Sequence, residues 1–368
     1  MDHPSIGYPV ATIDTPALVI CLEDLEYNIA TMANFFRNKI AKLRPHVKTH
    51  KTPFLANKQM KAGAIGITCQ KLSEAEVMAR AGIRDILIAN QIVSEQKIKR
   101  LIQLARYNDI KVAVDSKANI QDISKVAQNE GVTVGILVEV DVGMNRCGVP
   151  PGNPALQLAA ETKKHKNLRF MGLMGYEGHT VFIPSYAERT REATKALALL
   201  VETKKLAEDN GLECLIVSAG ATGTYDIAGS FPGVTEVQAG SYVTMDAKYN
   251  TVERIGGVFR QALTLLATVI SRPSRDRAVI DAGMKSISYE FGMPTVKIGH
   301  NWLELSSLAE EHGIIQLPSS KIDLDPGEVV ELIPTHGCTT FNLHDYIYCV
   351  RDGIVEGVWP IEARGKFL

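Results

Sequence analysis

The chain has 368 residues, 45% of them hydrophobic and 22% charged, and a formal net charge of -1. Near-neutrality excludes the net basic excess that phosphate-backbone binding needs, so no nucleic-acid partner is expected. No apolar run reaches the length of a membrane span, so no membrane partner is expected either.

The first fifteen residues, within MDHPSIGYPVATIDTP, lack the basic and apolar regions of a signal peptide. They are too short to fold alone, and residues 1–15 are expected to lend a strand to a β domain. Six cysteines (Cys21, Cys69, Cys147, Cys214, Cys338, Cys349) show no CxxC spacing, which predicts free thiols and a cytoplasmic chain.

From Ala17 to about Gln238, short β-branched runs alternate with longer amphipathic ones. ALVIC, KLRPHVK, AIGITC, DILIAN, KVAVD, VGILVEVDV, LRFMGLMGY, ECLIVSAG and TEVQAG read as buried strands. Helices are expected over Leu22–Asn38, Ser73–Ala81, Ser94–Tyr107 and Ser185–Asn210. Continuous apolar strands separated by helices imply a parallel sheet covered outside, and about eight units imply a closed TIM-like (β/α)8 barrel over 16–255. An open doubly wound sheet is the alternative. Beyond Gly256 the texture changes to strands and turns, including GIIQLPS, and residues 256–368 read as a separate C-terminal β domain.

The densest chemistry lies in RPHVKTHK. As part of a strand KLRPHVK, alternation would send Arg44, His46 and Lys48 to one cationic face. A lysine there is a plausible amine nucleophile for a Schiff base, and a solvated basic loop is the plainer reading.

RPHVKTHK is similar to the cofactor-lysine motif of the D-threonine aldolase and D-serine dehydratase family, enzymes with the alanine-racemase type of barrel. TPALVI, GITCQKLSEAEVMARAGI, DVGMNRCGV, MGYEGH, AGATGTYD, VQAGSYVTMD, DAGMKSIS and WPIEARG extend the resemblance over nearly the whole chain. It implies pyridoxal 5'-phosphate at a barrel mouth, a C-terminal β domain and a homodimer. It makes Lys48, rather than Lys51, the Schiff-base lysine, with Thr49, His50 and Lys51 in support. Glycine- and hydroxyl-rich loops after strands suit a phosphate. By resemblance Thr222, Gly223, Thr224, Gly240 and Ser241 hold it, with Ser218 and Tyr242 alongside. Tyr176 resembles the residue near the ring nitrogen and Arg146 the one near the ring hydroxyl. His179 is a candidate acid or base.

In THGCTTFN, His336 and Cys338 are two apart, so on a strand both would point the same way and share one ion. In the family this place resembles a divalent-metal pair, where cysteine favours zinc and aspartate would have suited manganese. An ion there would act on the hydroxyl of a D-3-hydroxy amino acid, driving either retro-aldol cleavage or loss of hydroxide. TTFNLHD and WPIEARG resemble the aldolases, and the His-x-Cys pair also resembles the D-serine or D-3-hydroxyaspartate dehydratases. An amino-acid racemase and a non-catalytic pyridoxal-phosphate carrier are the remaining readings.

Overall fold

A computed structural model describes residues 6–298, 301–317 and 324–368. Two compact units emerge, neither continuous in sequence. One comprises residues up to Ala30, Thr49–Thr52 and Ser241–Arg364; the other comprises Thr31–Lys48, Pro53–Gly240 and Gly365–Leu368.

The second unit is the barrel. Strands Lys42–Leu43, Ile67–Cys69, Asp85–Ile88, Asp109–Val114, Val134–Glu139, Leu168–Met174, Ile216–Ala219 and Glu236–Val237 form a parallel sheet, in which each strand from Ile67–Cys69 onward pairs with its neighbour in sequence. The last also pairs with the first. Closure between the first and second strands rests on Ile65 N–H donating to Leu43 O (3.0 Å), Thr68 N–H donating to Pro45 O (2.9 Å) and a His46–Thr68 bridge. Leu87, Ala113, Leu137, Met171 and Met174 form a buried cluster, as a filled barrel interior requires.

The helices of this unit follow local signals. Ser94, Ser116 and Ser185 each accept a backbone N–H of the first turn, which makes Ser94 and Ser185 caps preceding helices Glu95–Ala105 and Tyr186–Asp209. Gly131 ends helix Lys117–Glu130 in the left-handed region at φ 63°. Among the described residues no helix is long and apolar enough to cross a membrane.

The other unit is a β domain. Its main sheet runs in the order Asn301–Glu304, Thr295–Ile298, Val329–Ile333, Leu263–Ser274, Ala17–Cys21, Tyr346–Arg351 and Ile354–Pro360. Arg277–Ile280, Gly313–Gln316 and Ser307–Leu308 extend it from the side. Pro318 and Ser319 of the expected GIIQLPS strand lie outside the described residues. Near the start of the chain, Val355 N–H donates to Tyr8 O (2.9 Å), and Pro9 forms an isolated bridge with Ile354.

Two expected strands need correction. ALVIC is a strand, but of the β domain: it lies antiparallel to Leu263–Ser274 and parallel to Tyr346–Arg351. A short apolar run specifies burial on both faces and not which sheet provides it. The other is KLRPHVK, where only Lys42–Leu43 is strand and Val47–Thr49 is a 3-10 turn. Arg44 N–H and His46 N–H still donate to Val237 O and Ala239 O, so these two keep the alternation past Pro45, and the turn at Val47–Thr49 takes Lys48 out of it.

Between Ile136 and Leu137 the register with the Leu168–Met174 strand shifts by one residue, leaving Met171 as the extra position of a bulge followed by Gly172 at φ 140°. A side chain there would collide with the carbonyl oxygen of Ile216 on the neighbouring strand. Gly172→Ala is therefore expected to cost more than about 2 kcal/mol, from backbone strain and lost strand pairing. Thermal unfolding should fall by at least roughly 4 °C, measured by circular dichroism.

Candidate active site

The Val47–Thr49 turn carries Lys48, which is half-buried. His46 fixes the turn from inside the barrel unit: its Nδ1 accepts the Lys48 backbone N–H at 3.4 Å, and its Nε2 lies 3.3 Å from Gln70 Oε1. The ammonium group of Lys48 has no hydrogen-bond or ion-pair partner among the described residues. Arg44 does not add cationic charge to it. The Arg44 guanidinium is spent on Glu236 (2.8 Å) and Asp85 (2.5 Å), and Lys111 reaches Asp85 and Asp109 at 2.7 Å each. Burial alone would raise the Asp85 pKa, but Arg44 and Lys111 hold it below the usual carboxylate range.

Three sequence-selected residues meet on loops after barrel strands. Asp141 Oδ1 accepts the N–H groups of Gly143 and Asn145, both at 3.0 Å, which folds the loop so that Arg146 lies over the Tyr176 ring at 5.5 Å. A side chain at Gly143 would press on the exposed His179 ring, so the two loops touch. Glu139, buried at the end of its strand, accepts from Gln91 Nε2 at 2.5 Å, and burial pushes its pKa up.

The Thr222–Thr224 turn is organised by a residue the sequence reading passed over. Glu177 is fully buried, with burial raising its pKa; it accepts Thr224 Oγ1–H at 2.6 Å and Gly220 N–H at 3.1 Å. Thr224 Oγ1 also accepts Ala221 N–H, so its own proton is committed inside the loop. Gly223 packs so tightly that a Cβ would strike Val181 O. Ser218 is buried at its strand end, 2.8 Å from Gln238 Nε2. Gly240 is the last residue of this segment of the barrel unit, and Ser241 and Tyr242 belong to the β unit, where Tyr242 packs on Phe259.

In the β unit His336 and Cys338 do come together, though not on a strand. His336 is the extended residue before helix Gly337–Phe341, whose first N–H is accepted by Asp246 Oδ2 at 3.2 Å. Burial pushes the Asp246 pKa up to about 6. Cys338 Sγ lies 3.5 Å from Thr49 Oγ1 and 3.9 Å from Ser241 Oγ. Burial works against a charged His336, yet Cys338, Glu290 and Asp246 outweigh it and its pKa is pushed up to about 9. Glu290 Oε2 is 2.6 Å from His336 Nδ1. Among the described residues no group of three or more His, Cys, Asp or Glu side chains is placed to hold an ion. Ala363 N–H donates to Lys51 O at 3.0 Å, which joins the THK segment to the ARG of the tail.

Sequence reasoning missed Glu139, Glu177 and Glu290. An acid inside the apolar run VGILVEVDV was a usable signal for Glu139, and the place of Glu177 within MGYEGH was another; Glu290 stands in a loop with nothing to mark it.

Against known proteins, the family of alanine racemase N-terminal domains matches residues 20–248 and that of putative serine dehydratase domains matches residues 262–350. A D-threonine aldolase of Arthrobacter sp. is 39% identical over 98% of this chain and 95% of its own length. The crystal structure of D-threonine aldolase from Filomicrobium marinum superposes with a TM-score of 0.97 at 38% identity, covering 100% of both chains. D-threo-3-hydroxyaspartate dehydratase from Delftia sp. HT23 superposes with a TM-score of 0.86 at 30% identity, over 96% and 98% of the two chains. Two variants of D-threo-3-hydroxyaspartate dehydratase superpose similarly; they carry alanine for a histidine and for a cysteine two positions later, and the cysteine variant is in a metal-free form.

Arg44 is thus a structural cation. Arg44→Met should destabilise the protein by about 3–5 kcal/mol, because Glu236 is left buried and unpaired. Combining it with Glu236→Leu should recover a large part of that loss. Urea unfolding of the single and double variants measures both.

Proposed function

Because the chain belongs to the D-threonine aldolase and D-serine dehydratase family, whose members depend on pyridoxal phosphate, we propose that it is a lyase cleaving D-threonine or a close D-3-hydroxy amino acid to glycine and an aldehyde. The observation that carries this reading is full-length similarity to D-threonine aldolases, combined with the adjacency of His336 and Cys338.

The residues fit the cofactor. Lys48 offers an amine without a protein partner on a turn fixed by His46, and a glycine- and hydroxyl-rich loop follows a barrel strand. Lys48 would hold the cofactor covalently. Thr222, Gly223, Gly240 and Ser241 would hold its phosphate, with Thr224 and Glu177 shaping the loop. Arg146 and Tyr176 would face its ring. The residues also fit a divalent ion, since imidazole and thiolate together suit zinc better than manganese. When bound, the cofactor supplies an electron sink at Cα, and the ion lowers the pKa of the substrate's 3-hydroxyl.

The chain's own residues then manage protons. His179, exposed on its loop, takes the proton of the 3-hydroxyl as the Cα–Cβ bond breaks and the aldehyde C=O forms. The electron pair left on Cα takes up a proton, which yields glycine. A homodimer and a cytoplasmic location belong to the same proposal.

Dehydration is the second reading, favoured by the His-x-Cys pair and by the similarity to D-threo-3-hydroxyaspartate dehydratase. Incubation with D-threonine, D-serine and D-3-hydroxyaspartate separates the two. Glycine with an aldehyde marks the aldolase; a 2-oxo acid with ammonia marks the dehydratase.

Borohydride reduction followed by peptide mapping should place the pyridoxyl group on Lys48; recovery on Lys51 would refute the assignment. Cys338→Ala should keep the visible cofactor absorbance while cleavage of D-threonine falls on the order of 10³-fold or more, since a Lewis acid supplies several kcal/mol. EDTA should reproduce the loss in the unmutated enzyme, and added zinc should restore activity there but not in the variant. Cleavage at the normal rate by the variant would make the pair structural.

A further inference from the structure

We infer that Glu290 is a positioning residue for the ion, one that aims His336 without ligating. This rests on the metal reading of His336 and Cys338. Glu290 Oε2 lies 2.6 Å from His336 Nδ1, so the nitrogen nearer the carboxylate is committed and Nε2 is left to bind an ion. A carboxylate on the far N–H of a metal-bound imidazole fixes its tautomer and ring orientation and makes the ligating nitrogen more basic.

Two further observations show that the arrangement is built rather than incidental. First, the Phe291 ring packs on the imidazole with centroids 4.8 Å apart and planes inclined by 35°, which restrains rotation. Second, the segment bearing Glu290 is stitched to the segment bearing His336 on both sides of the imidazole. Thr335 Oγ1 donates to Gly292 O at 3.1 Å. Ser288 N–H donates to Thr340 Oγ1 at 3.2 Å, and Thr339 Oγ1–H donates to Ser288 Oγ at 2.6 Å. Glu290 N–H in turn reaches Ser288 Oγ at 3.4 Å. The carboxylate is thereby carried on a brace anchored to the same short helix that holds Cys338.

The test is metal affinity, read independently of turnover. Cofactor-loaded wild type, Glu290→Ala and Glu290→Gln are each titrated with zinc chloride and with manganese chloride against a chromophoric chelator. Glu290→Ala should raise the Kd for zinc about 10–100-fold, and Glu290→Gln, which keeps an acceptor oxygen without the charge, should raise it less. Thermal unfolding of the chelator-treated proteins should match wild type, because Glu290 is half exposed and supports no core. Wild-type affinity in both variants would overturn the inference and leave the metal reading standing. A wild type that takes up neither ion would overturn the metal reading and the inference with it.

Discussion

Closure of the barrel beside Leu43 and Pro45 is the constraint on which the proposed cofactor end depends. The strand there is only two residues long, yet its neighbours satisfy it from both sides: Glu236–Val237 through the ladder, Ile65 and Thr68 through single bonds. A closed sheet has no edge, so the chain beyond Pro45 cannot slide to another register without orphaning buried backbone groups. Arg44 adds a second fastening from its side chain to Glu236 and Asp85. The turn bearing Lys48 therefore begins from a rigid origin. That is what a nucleophile needs if binding energy is not to be spent on ordering it.

The β unit meets a similar need by other means. There the proposed metal pair stands on a loop and a one-turn helix, and positioning comes from side-chain hydrogen bonds: Asp246 to Gly337, the Ser288–Thr340 brace, Glu290 to His336. Such a network rigidifies only when every member is satisfied, which concentrates its sensitivity in a handful of hydroxyls and carboxylates.

Much of this was legible beforehand. Apolar runs located the eight barrel strands, and the amphipathic stretches between them located helices such as Glu95–Ala105 and Tyr186–Asp209, because both signals are local. ALVIC was misplaced because its partners, Leu263–Ser274 and Tyr346–Arg351, lie far along the chain and leave no mark on five apolar residues. KLRPHVK was over-extended because nothing in the run marks the 3-10 turn at Val47–Thr49, where the extended backbone ends. His336 and Cys338 come together as expected, but at the start of a short helix and not along a strand. Glu290 depends on tertiary approach alone, reaching a histidine 46 positions away, and no periodicity points to it.

The place of Ala17–Cys21 in the middle of the β sheet bears on how the chain is made. Val19 must wait for Tyr348, which is made roughly 330 residues later. At a synthesis rate of about 5–20 residues per second, the delay is roughly 15–65 s. One edge of this buried, apolar strand can pair with Leu263–Ser274 earlier, and the edge that Tyr346–Arg351 covers stays open through the whole interval. The barrel can close while it waits, since from Ile67–Cys69 onward its strands pair with their neighbours in sequence and the last returns to the first before Gly240. The β sheet cannot be completed until Tyr346–Arg351 is made, so Ala17–Cys21 waits with that edge uncovered after the barrel strands are complete.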